Sequence, residues 1–104
     1  MAVSPDAFEA ATRRGERLSV EYGATHVSFD ASRRVVRVTL SGGRELQFSP
    51  AAVDALRAAT DQDLSHVRLS PSRLGLYFPD VDVDLSIPNL VHSEDGRSIR
   101  VVKL

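Results

Sequence analysis

Three apolar residues in alternation, Val36, Val38 and Leu40, run into Ser41-Gly42-Gly43, and the alternation resumes at Leu46 and Phe48. A period of two places all five on one face of two strands. The Gly pair supplies the positive backbone angles that a tight antiparallel reversal needs. A chain with this pattern builds a sheet with one buried face, and other elements have to cover that face. Val20 and Tyr22, then Val27 and Phe29, continue the alternation upstream, where Asp30-Ala31-Ser32-Arg33 reads as a turn. Downstream, Val67 and Leu69 begin a further strand that Pro71-Ser72 interrupts. Leu74, Leu76 and Phe78 form the inward face of the next strand, and Val81, Val83 and Leu85 follow.

The covering elements announce themselves by their caps. Ser4-Pro5 opens a helix with Phe8, Ala11 and Leu18 on a narrow apolar face, which Gly15 weakens. Ser49-Pro50 repeats that opening and predicts a helix packing through Ala52, Val53 and Leu56. Thr60-Asp61-Gln62-Asp63 resembles a capping box before a helix of about one turn, with Asp as a shorter substitute for Glu. A last short helix starts at Ser86 and buries Ile87, Leu90 and Val91, and Asp95-Gly96 turns the chain toward Ile99–Leu104. The fold class that results is α+β: a small antiparallel strand meander with short covering helices and a second strand pair. No linker, repeat or low-complexity tract divides residues 1–104, which read as one domain, with 97–104 either an edge strand or a flexible tail.

Composition excludes several classes. An apolar share of 42% with 26% charged residues suits a globular chain. There is no cysteine, so neither a disulfide nor a thiolate metal site holds the fold, and a cytoplasmic location is expected. No apolar run reaches the roughly 18 residues of a membrane span, and the N-terminus lacks the pattern of a secretory signal. The net charge of −1 argues against a protein built to neutralise a nucleic-acid backbone. That sum conceals a split, because residues 61–95 are acidic while 96–104 carry Arg97, Arg100 and Lys103 without an acid.

The run Phe78-Pro79-Asp80-Val81-Asp82-Val83-Asp84-Leu85-Ser86-Ile87-Pro88-Asn89-Leu90 resembles a family signature, Trp-x-x-Leu-Asp-x-Asp-Leu-Ser-x-x-x-Leu. The family is the bacterial one catalogued as domain of unknown function 2442, and the likeness spans residues 5–92 as a longer subtype with an extra N-terminal helix. Phe78, Val81, Leu85 and Leu90 carry the apolar positions of that signature, with Phe78 replacing Trp and Val81 replacing Leu. The resemblance implies a strand meander and a binding or regulatory module, in some members beside helix-turn-helix domains or in toxin and antitoxin arrangements. It brings no known chemistry.

Asp80, Asp82 and Asp84 alternate, which first suggests calcium. The calcium loop needs Gly where Leu85 stands and Glu where Val91 stands. Extended, neighbouring carboxylates of the set would lie about 6.6 Å apart on one strand face, too far for a compact cage. They read instead as a partner-binding acidic edge that favours an Arg-rich surface. His26, His66 and His92 form no pair at ligand spacing, and no Ser sits in a nucleophile elbow. Arg33, Arg37 and Arg44, with Arg34, would cluster around the central hairpin as a weak nucleic-acid contact.

The sequence therefore predicts a noncatalytic protein-interaction or regulatory module, antitoxin-like in one version, with no catalytic set, no metal and no cofactor. Its partner is an unknown protein, with homodimerisation through the tail open. A nucleic-acid-binding accessory protein is one alternative. A small enzyme using His66 with Asp82 or Asp84 is another.

Overall fold

In the computed structural model, which describes residues 23–104, the alternating segments pair as antiparallel strands in two sheets. The first holds β1 (Ala24–Asp30), β2 (Val35–Leu40) and β3 (Arg44–Phe48) as a meander, with β7 (Ile99–Lys103) added beside β3. Gly43, at φ 79°, makes the reversal between β2 and β3, a conformation that costs a residue without Cβ little. In register, Val38 faces Val27 and Leu46, and Val36 faces Phe29 and Phe48. Val36, Val38, Leu40, Leu46 and Phe48 are all buried, so the period of two identifies the inner face.

The second sheet is β4 (Arg68–Leu69), β5 (Gly75–Phe78) and β6 (Val83–Ser86). It has three strands rather than a pair, because the short segment before Pro71 still exchanges ladder bonds with β5. Leu76 and Phe78 point into one core shared with the first sheet, and the Ala24 amide donates to the Arg73 carbonyl at 2.9 Å where the sheets adjoin.

Short helical pieces close the core. The segment after Ser49 does not form one helix. It makes two three-residue 3-10 turns, Pro50–Ala52 and Asp54–Leu56, separated by Val53 at φ −117° and ψ 115°. A β-branched residue in extended conformation breaks the ladder there, so Leu56 and Ala59 are buried while Ala52 stays exposed. Helix α1 (Asp61–Ser65) opens with a full capping box: the Asp63 amide donates to Thr60 Oγ1 at 3.1 Å, and the Thr60 amide donates to Asp63 Oδ2 at 2.9 Å. Thr60→Ala is expected to cost about 1 kcal/mol in chemical denaturation, whereas Thr60→Ser should lose far less. Helix α2 (Ile87–His92) is capped by Ser86, whose Oγ accepts from the Asn89 amide at 3.3 Å, and it buries Ile87 and Leu90. The expected N-terminal helix over Phe8, Ala11 and Leu18 lies outside the described residues, as do Val20 and Tyr22. No helix among the described residues is long and apolar enough to cross a membrane.

Candidate functional site

The run from Asp80 to Asp84 is not a continuous strand. Pro79–Asp82 forms the turn between β5 and β6, and Asp82 sits at φ 52°, in the left-handed region that Asp tolerates better than most residues. This corrects the reading of three carboxylates on one strand face. Asp80 turns away and meets His66 at the end of α1, with 2.7 Å between Oδ2 and Nδ1. The other two acids stay together for another reason: Asp82 leans over the sheet from the turn while Asp84 projects outward from β6.

Tyr77 joins them. Since Leu76 and Phe78 face the core, the residue between them faces out, and the register places Tyr77 between Arg68 of β4 and Asp84 of β6. Its hydroxyl donates to Asp82 Oδ1 at 3.3 Å. These four side chains, with the Leu69–Pro71 segment, line an open cavity of about 420 Å³, within the range of roughly 300–1,000 Å³ usual for ligand pockets. The site is an aromatic face with two carboxylates on one side and one guanidinium on the other. Such a row can take a cationic side chain over the ring beside the acids, and Arg68 fixes which end the cation occupies.

The electrostatics register the acids. Partial burial of the ring, then the charge and hydrogen bond of Asp82 and the charge of Asp84, push the Tyr77 phenol up, against the opposing pull of Arg68. Because the folded value lies above the unfolded one, the neutral phenol's contribution is intact below about pH 10 and is lost as pH rises through the folded value. Asp82→Asn is expected to bring the Tyr77 titration down toward that of an ordinary tyrosine. Phenolate absorbance reads the change, and an unshifted midpoint would contradict the pairing.

The arginines do not gather. Arg33 and Arg34 lie in the β1–β2 turn and Arg44 at the β2–β3 reversal, at opposite ends of a six-residue strand, about 20 Å apart at the usual rise. Arg34 is held by Asp61 and by the Ala59 carbonyl at 2.8 Å. Arg37, on the outer face of β2, is engaged by Asp30 at 3.4 Å and Glu45 at 3.9 Å. Of the signature residues, Phe78 and Leu90 are buried, Leu85 is half-buried opposite Leu76, and Val81 is half-buried in the turn. His66 pairs with Asp80 and not with Asp82 or Asp84, and both partners are substantially exposed, 48% and 33% by side chain. Among the described residues no group of three or more His, Asp or Glu could hold a metal ion.

Sequence reasoning missed Tyr77 and Arg68. The signal for Tyr77 was present, because a large aromatic residue between two inward positions of one strand must face outward.

Comparison with known proteins places these residues in a wider setting. A family model described as "Protein of unknown function (DUF2442)" matches residues 24–96. The match begins later and ends later than the 5–92 span read from the signature. The solution NMR structure of an uncharacterized protein from Chromobacterium violaceum is similar at 35% identity and a TM-score of 0.69, over 94% of this chain and 88% of that one. The crystal structure of a protein of unknown function from Rhodospirillum rubrum is similar at 29% identity and a TM-score of 0.65, over 72% of this chain and 94% of that one. No curated protein matches the chain.

Proposed function

This chain belongs to the family described as protein of unknown function DUF2442, and from that membership and the site geometry we propose that it is a noncatalytic protein-interaction module. Its contact surface is the outer face of β4–β5–β6. The observation that carries this reading is the cavity around Tyr77, in which Asp82 and Asp84 flank a half-buried aromatic ring. The partner presents a basic side chain, which stacks on the ring and meets the two carboxylates. Binding at this face regulates the partner by occupying its basic segment, an antitoxin-like action in the cytoplasm. The placement of Arg37 beside Asp30 and Glu45 supports this reading over direct nucleic-acid binding, since two carboxylates offset its charge within the sheet, while its buried Nε makes no hydrogen bond.

The same proposal includes the longer subtype with an N-terminal helix. The similarity to the Chromobacterium protein covers 94% of this chain, more than the 24–96 family match, which supports the longer span of the likeness.

A direct test is an NMR titration of the full chain with an Arg-Gly-Arg amide and, separately, an Asp-Gly-Asp amide. The reading predicts shifts at Arg68, Tyr77, Asp82 and Asp84 with the basic peptide and none with the acidic one. Equal responses to both would remove the charge preference on which it rests.

A further inference from the structure

We propose a second site, distinct from the Tyr77 surface: a cup for one phosphate-sized oxyanion at the corner where β3 leaves the first sheet and β7 enters it. Ser49 and Ser98 face each other there, the Ser49 amide donating to the Ser98 carbonyl at 2.8 Å. With Gln47, Arg97 and Arg100 they surround a cavity of about 50 Å³ over a floor of Val35 and Phe48. A cavity of about 10–15 Å³ on this measure already holds one water, so this volume suits a small group such as a single tetrahedral oxyanion. A nucleotide or an organic cofactor needs roughly 300 Å³ or more.

The charge of the cup sets the sign of its ligand. No carboxylate lines it. Among the described residues Arg97 and Arg100 have no acidic partner, in contrast to Arg34, Arg37 and Arg57. The two acids nearest them in sequence are committed to the backbone. Asp95 Oδ1 accepts from the amides of Arg97 at 2.8 Å and Ile99 at 3.0 Å, and Glu94 Oε2 accepts from the Val101 amide at 2.6 Å. Those amide donors, Ile99 first, also hold the Asp95 carboxyl below its usual range, so it stays ionised and bonded to the chain rather than to a guanidinium.

The cup is also ordered from within. Arg100 Nη2 donates to Gln47 Oε1 at 3.1 Å, and Gln47 Nε2 donates to Glu45 Oε1 at 3.4 Å. This relay orients the Arg100 fork and leaves its other N–H groups for an anion, whose oxygens a planar guanidinium matches in pairs. Ser49 Oγ accepts from the Ala51 amide at 3.3 Å, which leaves its proton to donate toward the cup. The ligand chemistry is a phosphoryl oxyanion, either free phosphate or the phosphate of a phosphorylated chain.

The test is a titration of the full chain with inorganic phosphate at constant ionic strength, followed by amide and arginine side-chain NMR signals. Saturable shifts confined to Ser49, Arg97, Ser98 and Arg100 are expected, with Arg97→Ala and Arg100→Ala each weakening binding about tenfold or more. Arg100→Lys should keep the charge, lose the fork and remain several-fold weaker than the native chain. A phosphoserine peptide binding at least tenfold tighter than inorganic phosphate would identify a phosphorylated chain as the source, and equal binding would identify free phosphate. Linear shifts indistinguishable from those with chloride would overturn the proposal. So would binding unchanged in a folded Arg97→Ala/Arg100→Ala variant. Should that variant not fold, the native-chain titration against chloride still decides.

Discussion

Phe78→Ala is expected to destabilise the protein by about 3–5 kcal/mol, enough to unfold much of it at moderate temperature. The ring is fully buried in the core common to both sheets, and its strand register sets it opposite Val83. Removing it deletes the transfer free energy of the ring and leaves a cavity that close-packed neighbours fill only in part. Domains of this size hold roughly 5–15 kcal/mol in total, so about a fifth or more of the stability goes with one side chain. By the usual conversion the thermal midpoint falls by roughly 12–40 °C. Tyr77→Ala, one residue away on the opposite face of β5, should move the midpoint far less. Thermal unfolding of the two variants side by side reads this difference, and similar losses for both would mean that the strand does not bury the face assigned to it.

Asp82→Lys/Asp84→Lys is expected to weaken binding of a basic partner at least tenfold and to invert the charge preference of the Tyr77 surface. Two carboxylates that now attract a cation become two like charges beside it, and like-charge juxtaposition in an interface costs several kcal/mol. Arg68→Ala should act in the opposite direction, because it removes the one cation that lines the same cavity. The pair of changes separates an electrostatic contact from a steric one: a surface used for shape alone would lose binding with both. Titration with the Arg-Gly-Arg and Asp-Gly-Asp amides reads each case, and thermal unfolding checks that the variants remain folded.

The alternation through Val36, Val38, Leu40, Leu46 and Phe48 identified the buried face, because one-face burial repeats every second residue whatever covers it. The caps at Thr60 and Ser86 were legible for a similar reason: both are bonds between a side chain and amides within three residues. What depended on distant pairing was less legible. Ser49-Pro50 gave a correct local start, but Val53 adopts an extended conformation and divides the helix into two turns. Asp80, Asp82 and Asp84 alternate as a strand would, yet the turn after Phe78 and the left-handed Asp82 fold the segment back on itself. That reversal sends Asp80 to His66 and brings Asp82 to Tyr77. The arginine cluster failed because successive turns of a meander lie at opposite ends of the strand between them. The Tyr77 surface and the Arg97–Arg100 cup both join residues from several strands, which spacing along the chain does not reveal.

The central claim is that the outer face of β4–β5–β6 holds a basic protein partner, and it is tested most directly by retention of proteins from source-cell lysate on three folded baits. These are the native chain, Asp82→Lys/Asp84→Lys and Arg97→Ala/Arg100→Ala. The account predicts a partner with an exposed basic segment that binds the native chain and the arginine variant and is lost from the lysine variant. A partner retained by all three baits, or one lost only with Arg97 and Arg100, would contradict it.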